Sequence, residues 1–293
     1  MGKGVFLLVG VIALSTSAIF VRLANAPSSI AAFYRIFFSF LIVLPISLLK
    51  KSNRLEVLSI TKKEIILSVL AGFSLALHYF LWFQSLNFTS VASSTVIVTL
   101  QPLFSLIAGY FFFKERYTII AILGFIIAIA GSFIIGWGDF QISSKALFGD
   151  LLAFIAAGLI SMYFIIGQYA RVRLSAVNWI ALSYFSAFIF LGILSYFMNI
   201  PFTGYSSSTW IYLIALTLIS TMLGQVVFTW LLKWFSATVI SMTILGEAVG
   251  TCILGYFVLN ESISLKQFIG IVLILLGIAL FLMEKRKVNK DTN

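Results

Sequence analysis

The chain has 293 residues, 61% of them hydrophobic and 10% charged, with a formal net charge of +10. Soluble domains run to roughly 45–50% apolar and about 25% charged residues, so this chain cannot hide its apolar surface from water and lipid must be its solvent. The positive charge does not mark a nucleic-acid surface, because the basic residues sit at the ends of apolar segments rather than on one polar face.

About 20 apolar residues cross the hydrocarbon core of a bilayer. Ten segments reach that length: 4–23, 30–49, 64–84, 91–111, 117–137, 150–170, 177–197, 209–230, 237–257 and 265–283. They are too long, and alternate too little, for barrel strands of about 9–11 residues. The first imitates a signal peptide, with Lys3, an apolar run and then Ala24-Asn25-Ala26. Arg22 late in the run, and a counterpart at 150–169, favour a retained helix. The second carries Arg35, which either snorkels to the interface or points inward as fixed positive charge. The third carries His78, the only histidine, four residues from Trp82 on one face, so no His-based metal site is expected. The fourth has Gln101 at its centre, followed by Pro102, which frees a backbone carbonyl one turn earlier.

Tyr163 on the sixth segment is equivalent to Ser17 on the first, and both are weaker cavity candidates. Thr221, Gln225 and Thr229 form a polar stripe on the eighth, at i, i+4 and i+8. The ninth carries Glu247 at its centre between Gly246 and Gly250, a GxxxG pattern suited to close helix packing. Cys252, the one cysteine, lies in the same apolar run and reads as a buried small residue. Lys114-Glu115 and Asn260-Glu261 sit at segment ends and read as caps or loop pairs. A short charged tail, 284–293, closes the chain.

A constant offset of 146 residues relates the two halves without a gap. It pairs Ser15 with Ser161, Ser90 with Ser236, Gly109 with Gly255, Glu115 with Glu261, Gly124 with Gly270 and Gly131 with Gly277. Five segments per half is an odd number, so the second half must sit upside down relative to the first. Charge gives the same answer independently. With the N-terminus inside, fifteen of the 19 Lys and Arg residues fall on inner loops and ends, which sets both termini in the cytoplasm. Residues 50–63 hold five basic residues, whereas their counterparts 196–209 hold none.

A charged group at the bilayer centre costs roughly 2.5–3.5 kcal/mol on insertion scales, so intramembrane polar residues are where function is sought. Gln101 and Glu247 sit on equivalent segments and can converge on one central cavity; the alternative is a structural hydrogen bond between helices. A carboxyl at that depth makes Glu247 the proton-coupling candidate. No G-x-S-x-G, H-E-x-x-H or Walker loop occurs, so neither an enzyme nor an ATP-driven pump is expected.

Ala32–Pro45, His78–Gln101 and above all Gly246–Gly277 (GEAVGTCILGYFVLNESISLKQFIGIVLILLG) resemble the drug/metabolite transporter superfamily, in particular its EamA-type members, over nearly the whole chain. The resemblance implies a cavity lined by the first helices of each half and by the third, fourth, eighth and ninth. It implies export of small metabolites, amino acids or toxic organic compounds.

The expectation is therefore an all-α integral membrane protein, with ten transmembrane helices in two inverted five-helix repeats around a central cavity. Residues 1–147 and 148–283 are the repeats, and 284–293 a cytoplasmic tail. The expected activity is secondary transport by alternating access, proton-coupled or facilitative, with a channel as rival. The cavity candidates are Arg35, His78, Trp82, Gln101, Tyr163, Gln225 and Glu247, with no catalytic residue, metal or cofactor. The expected location is a prokaryotic plasma membrane. The partners are a small organic substrate, lipid and, if coupled, protons. Nucleic acid is not expected, and a homodimer is left open.

Overall fold

A computed structural model describes the backbone of residues 3–137, 144–259 and 263–291, and side chains except those of 136, 137, 259 and 285–291. Asn260, Glu261 and the basic side chains of the tail lie outside the described residues. All regular structure among the described residues is helical.

Ten helical rods follow one another along the chain. They are α1 (Gly4–Ala24), α2 (Ser28–Leu49), α3 (Lys62–Ser85), α4 (Val91–Phe113), α5 (Ile119–Trp137), α6 (Ser144–Ala170), α7 (Ala176–Phe197), α8 (Ser207–Leu231), α9 (Ala237–Val258) and α10 (Leu265–Asp291). Nine are long and apolar enough to cross a membrane, and α5 is a shorter apolar helix among the described residues. One helix was not expected: Lys51–Leu58, in the charged loop between α2 and α3. It holds to the body through Asn178, whose Nδ2 donates to Asn53 O at 2.9 Å and whose Oδ1 accepts from Ser47 at 2.6 Å.

The duplication is visible in the element ends. α4 begins at Val91 and its second half ends at Phe113; 146 residues on, α9 begins at Ala237 and its second half ends at Leu259. Both start from the same cap: Ser90 Oγ accepts from Ser93 N at 3.0 Å, and Ser236 Oγ from Val239 N at 3.4 Å. Such caps satisfy amide donors that the first helical turn leaves free.

The inversion is visible where α5 meets α10. A Cβ added at Gly124 would stand 2.8 Å from Gly277 O, and one at Gly131 would stand 2.7 Å from Gly270 O. The reciprocal additions at Gly277 and Gly270 would meet Gly124 O and Gly131 O. Each glycine thus faces the mate of the other one. The earlier residue of α5 faces the later residue of α10, so the two helices run antiparallel. Equivalent helices that cross antiparallel with reciprocal contacts are related by a two-fold axis across their length. That is the geometry of two inverted repeats.

Candidate functional site

Three of the rods that meet at the centre, α1, α4 and α9, are broken. α1 is interrupted at Thr16, whose hydroxyl donates to Ala13 O at 2.7 Å and meets Ser220 Oγ of α8 at 2.7 Å. α4 is interrupted over Thr99–Gln101, and Pro102 opens its second half. Proline lacks an amide hydrogen and clashes with the preceding turn, but suits the first position of a helix. α9 is interrupted at Leu245, with Gly246 and Glu247 opening its second half. α8 stays continuous, but Leu216–Gln225 winds as a π-helix. Irregular backbone at such depth persists only where protein or a cavity surrounds it. The expected α-helical spacing of Thr221 and Gln225 is corrected accordingly, since both lie in the π stretch.

Arg35 does not snorkel. It is fully buried, with Nε donating to Thr221 Oγ1 at 2.8 Å and Nη1 to Ser17 Oγ at 2.6 Å. Its Cζ lies 4.1 Å from the Tyr79 ring centroid, a cation–π distance. Thr221 in turn donates to Leu216 O at 3.1 Å, five residues back. The π turn therefore supplies a hydroxyl that donates to its own helix and accepts from the guanidinium.

Six of the seven candidates line one cavity: Arg35, His78, Trp82, Gln101, Gln225 and Glu247. Tyr79, Leu14, Thr99 and Ile160 complete much of its wall. The lining thus comes from α1, α2, α3, α4, α6, α8 and α9, with α2 added to the expected set. The free volume is about 20 Å³, room for water but not for a metabolite. Several wall atoms are buried without a hydrogen-bond partner: Arg35 Nη2, Trp82 Nε1, Tyr79 Oη, Gln225 Nε2, Gln101 Oε1 and Glu247 Oε1. A buried polar group left unpaired costs about 1–3 kcal/mol. A group of them around one void marks a place where something else supplies the bonds. His78 is satisfied on one side, because a carbonyl only accepts and its Nδ1 must donate to Ala156 O, at 2.9 Å. Its ring stacks on Trp82, with centroids 5.8 Å apart.

Tyr163 is the seventh candidate and does not border the cavity. It is fully buried, and its hydroxyl meets Thr229 Oγ1 at 3.2 Å. Its mate Ser17 sits against Arg35. Tyr79 belongs to the wall and was not singled out in the sequence; its place one residue after His78 was the available signal. The GxxxG glycines pack closely on α1: a Cβ at Gly250 would collide with Ser15 Oγ, and one at Gly246 would stand 3.1 Å from Val11. Glu115 accepts from Tyr117 at 3.2 Å and from Ser236 at 3.3 Å, tying two loops.

The model of a family described as "EamA-like transporter family" matches twice, over residues 2–137 and 147–283. An uncharacterized transporter YxxF of Bacillus subtilis is 26% identical over 233 residues, covering 77% of this chain and 72% of that protein. A second from the same organism, YoaV, is 26% identical over 235 residues, 78% of each. An uncharacterized transporter of Clostridium kluyveri is 25% identical over 214 residues, 70% of this chain and 68% of the other. A solved crystal structure superposes with a TM-score of 0.78 at 15% identity, over 97% of this chain and 98% of that one, a likeness of fold alone.

Proposed function

The chain belongs to the EamA-like transporter family, and from that premise we infer that it is a plasma-membrane secondary transporter that exports small metabolites, amino acids or drug-like compounds by alternating access. The observation that carries the reading is the central cavity. Buried polar and aromatic side chains from both halves meet there, and their unpaired atoms await a partner. The broken rods around it give each half a place to bend. The repeats divide near residue 147. The excess of Lys and Arg on one set of loops supports placing both termini, with the tail 284–293, in the cytoplasm.

Cargo movement tests this reading. Purified protein in liposomes, loaded with a broad panel of amino acids, metabolites and cationic drugs, should move at least one class faster than protein-free liposomes. No movement across the panel sinks it. A channel would need a polar path across the bilayer, and a 20 Å³ void is no such path.

Glu247 is the proposed coupling group, because it is the acidic residue on the cavity wall. Glu247→Gln should abolish the dependence of transport on a pH gradient while leaving downhill exchange measurable. A variant that keeps the full dependence makes the protein a facilitator, or places the proton elsewhere.

A further inference from the structure

A second and much larger opening lies between α1, α9 and α10, with a free volume of about 500 Å³. Pockets that hold small molecules run to roughly 300–1,000 Å³. Gly4, Phe235 and Met283 border it at the helix ends on the N-terminal side, and Val11, Gly246 and Leu275 border it deeper. At 1.5 Å per residue, α1 from Gly4 to Val11 and α10 from Leu275 to Met283 give it a depth of roughly 10–12 Å. A Cβ at Gly246 would meet Val11 at 3.1 Å and Ile278 at 3.8 Å, so the three helices converge there and close the floor. Among the described residues, Thr243 brings the one polar side chain on the wall, and its hydroxyl already donates to Val239 O at 2.8 Å. An occupant therefore meets apolar surface along the groove. The mouth differs. Trp234, next to Phe235, has Lys3 Nζ 4.2 Å and Lys233 Nζ 5.9 Å from its ring centroid, and it packs edge-on against Trp230. Neither lysine forms an ion pair within 4.0 Å among the described residues, Glu284 beside Met283 included. Tryptophan and lysine at helix ends are the side chains suited to the headgroup level of a bilayer.

We propose that an anionic phospholipid, from the leaflet on the N-terminal side, seats one acyl chain in this groove and its phosphate between Lys3 and Lys233. Charge and shape both point to it. Two ammoniums held on one indole repel each other, and a phosphodiester between them turns that repulsion into attraction. The groove below opens sideways to lipid, since Leu8, Leu275 and Met283 on its wall are exposed. A water-soluble phosphate would gain the lysines and leave the groove empty. A neutral lipid would fill the groove and leave the two lysines facing each other. A lipid with a negative headgroup satisfies both. The groove is separate from the central cavity, but neighbouring residues join them: Gly246 forms the groove floor and Glu247 the cavity wall. Both open the second half of α9, just after its break at Leu245. A chain packed against Gly246 steadies that break, so the bound lipid regulates the helix that carries the cavity carboxyl. Its occupancy does not depend on what the central cavity carries.

Native mass spectrometry of the wild-type protein, released from detergent micelles, tests the pairing. Dioleoyl phosphatidylglycerol is compared with dioleoyl phosphatidylcholine, which has the same chains, and with glycerol 3-phosphate, which has none. One phosphatidylglycerol should stay bound about tenfold more tightly than phosphatidylcholine, the scale expected of two basic residues at a membrane surface. Glycerol 3-phosphate should not displace it. Lys3→Gln with Lys233→Gln should erase the preference, whereas Lys50→Gln with Lys51→Gln, at the far end of α2, should keep it. Ala279→Phe, which places a ring in the groove, should weaken both lipids alike. Hydrogen exchange over residues 243–249 should slow when phosphatidylglycerol binds. The wild-type comparison needs no variant to fold. Equal retention of the two lipids, displacement by glycerol 3-phosphate, or lipid retention that survives Ala279→Phe overturns the proposal. So does a preference that survives loss of Lys3 and Lys233, or one lost just as fully with Lys50 and Lys51, which would be general attraction. Unchanged exchange over 243–249 overturns the link to α9.

Discussion

Arg35 lies two turns into α2, where a guanidinium would ordinarily reach back to the interface. Instead it is clamped by hydroxyls 18 and 186 residues away in sequence, Ser17 and Thr221. The arginine was therefore legible as an intramembrane charge, but its direction was not, because no local pattern reports partners that distant. Lysine cannot replace it. An ammonium is a point charge without the planar fork that spans two hydroxyls and an aromatic face. Arg35→Lys should lower the rate of transport at least tenfold while the protein still elutes as a single folded species. Thr221→Val leaves Arg35 Nε buried and unpaired. A cost of about 1–3 kcal/mol is expected, read as a fall in thermal unfolding temperature that substrate only partly restores. Tyr163 shows the opposite limit of residue-level reading. A polar residue at mid-depth was a fair candidate, yet its hydroxyl is used by Thr229 and it stands behind the cavity wall.

At the scale of elements, span positions follow from apolar length alone, so all ten were readable. Their interruptions were readable in part. Pro102 announces the break in α4, because it lacks an amide hydrogen, whereas Gly246 read only as a packing glycine and the break at Leu245 in α9 was not foreseen. The π turn of α8 has no such mark: LTLISTMLGQ suits an ordinary helix, and the winding answers to Arg35 across the bundle. The short helix Lys51–Leu58 was missed for a related reason, since its hold on α2 and α7 is polar and non-local. The glycine crossing of α5 and α10 gives a sharper forecast. Gly131→Val would drive methyl groups into Gly270 O and Ile274 N, backbone atoms that a rotamer change cannot move aside. Overpacking of this kind costs about 1–3 kcal/mol or more. The variant should lose several degrees of thermal stability, whereas Gly204→Ala, with open space around it but a positive φ of 92°, should lose less. Equal melting temperatures for the two would contradict the packing account.

For the whole molecule, the offset of 146 residues states that the halves are equivalent but not which shape each has taken. The difference lies in three hydroxyls. Ser105 Oγ meets Ser161 Oγ at 2.6 Å and Ser241 Oγ at 2.7 Å, closing α4, α6 and α9 together. Their mates are Thr251, Ser15 and Thr95. Among these, Thr251 Oγ1 reaches the backbone of Ser15, at 3.2 Å; Ser15 Oγ donates to Val11 O at 2.8 Å and to Glu247 O at 3.4 Å; and Thr95 Oγ1 has no partner. One triad is closed hydroxyl to hydroxyl; its image holds α1 to α9 through backbone carbonyls alone and leaves Thr95 of α4 out. If inverted repeats change access by exchanging shapes, the second triad should close as the first opens. Ser105→Cys with Ser241→Cys should then cross-link in one state and Thr95→Cys with Thr251→Cys in the other, each stopping transport until reductant is added. Saturating substrate should raise the yield of one pair as it lowers the other. Cross-links at both pairs in the same molecule, with transport intact, would mean that the two faces open independently and that the symmetry has no part in the cycle.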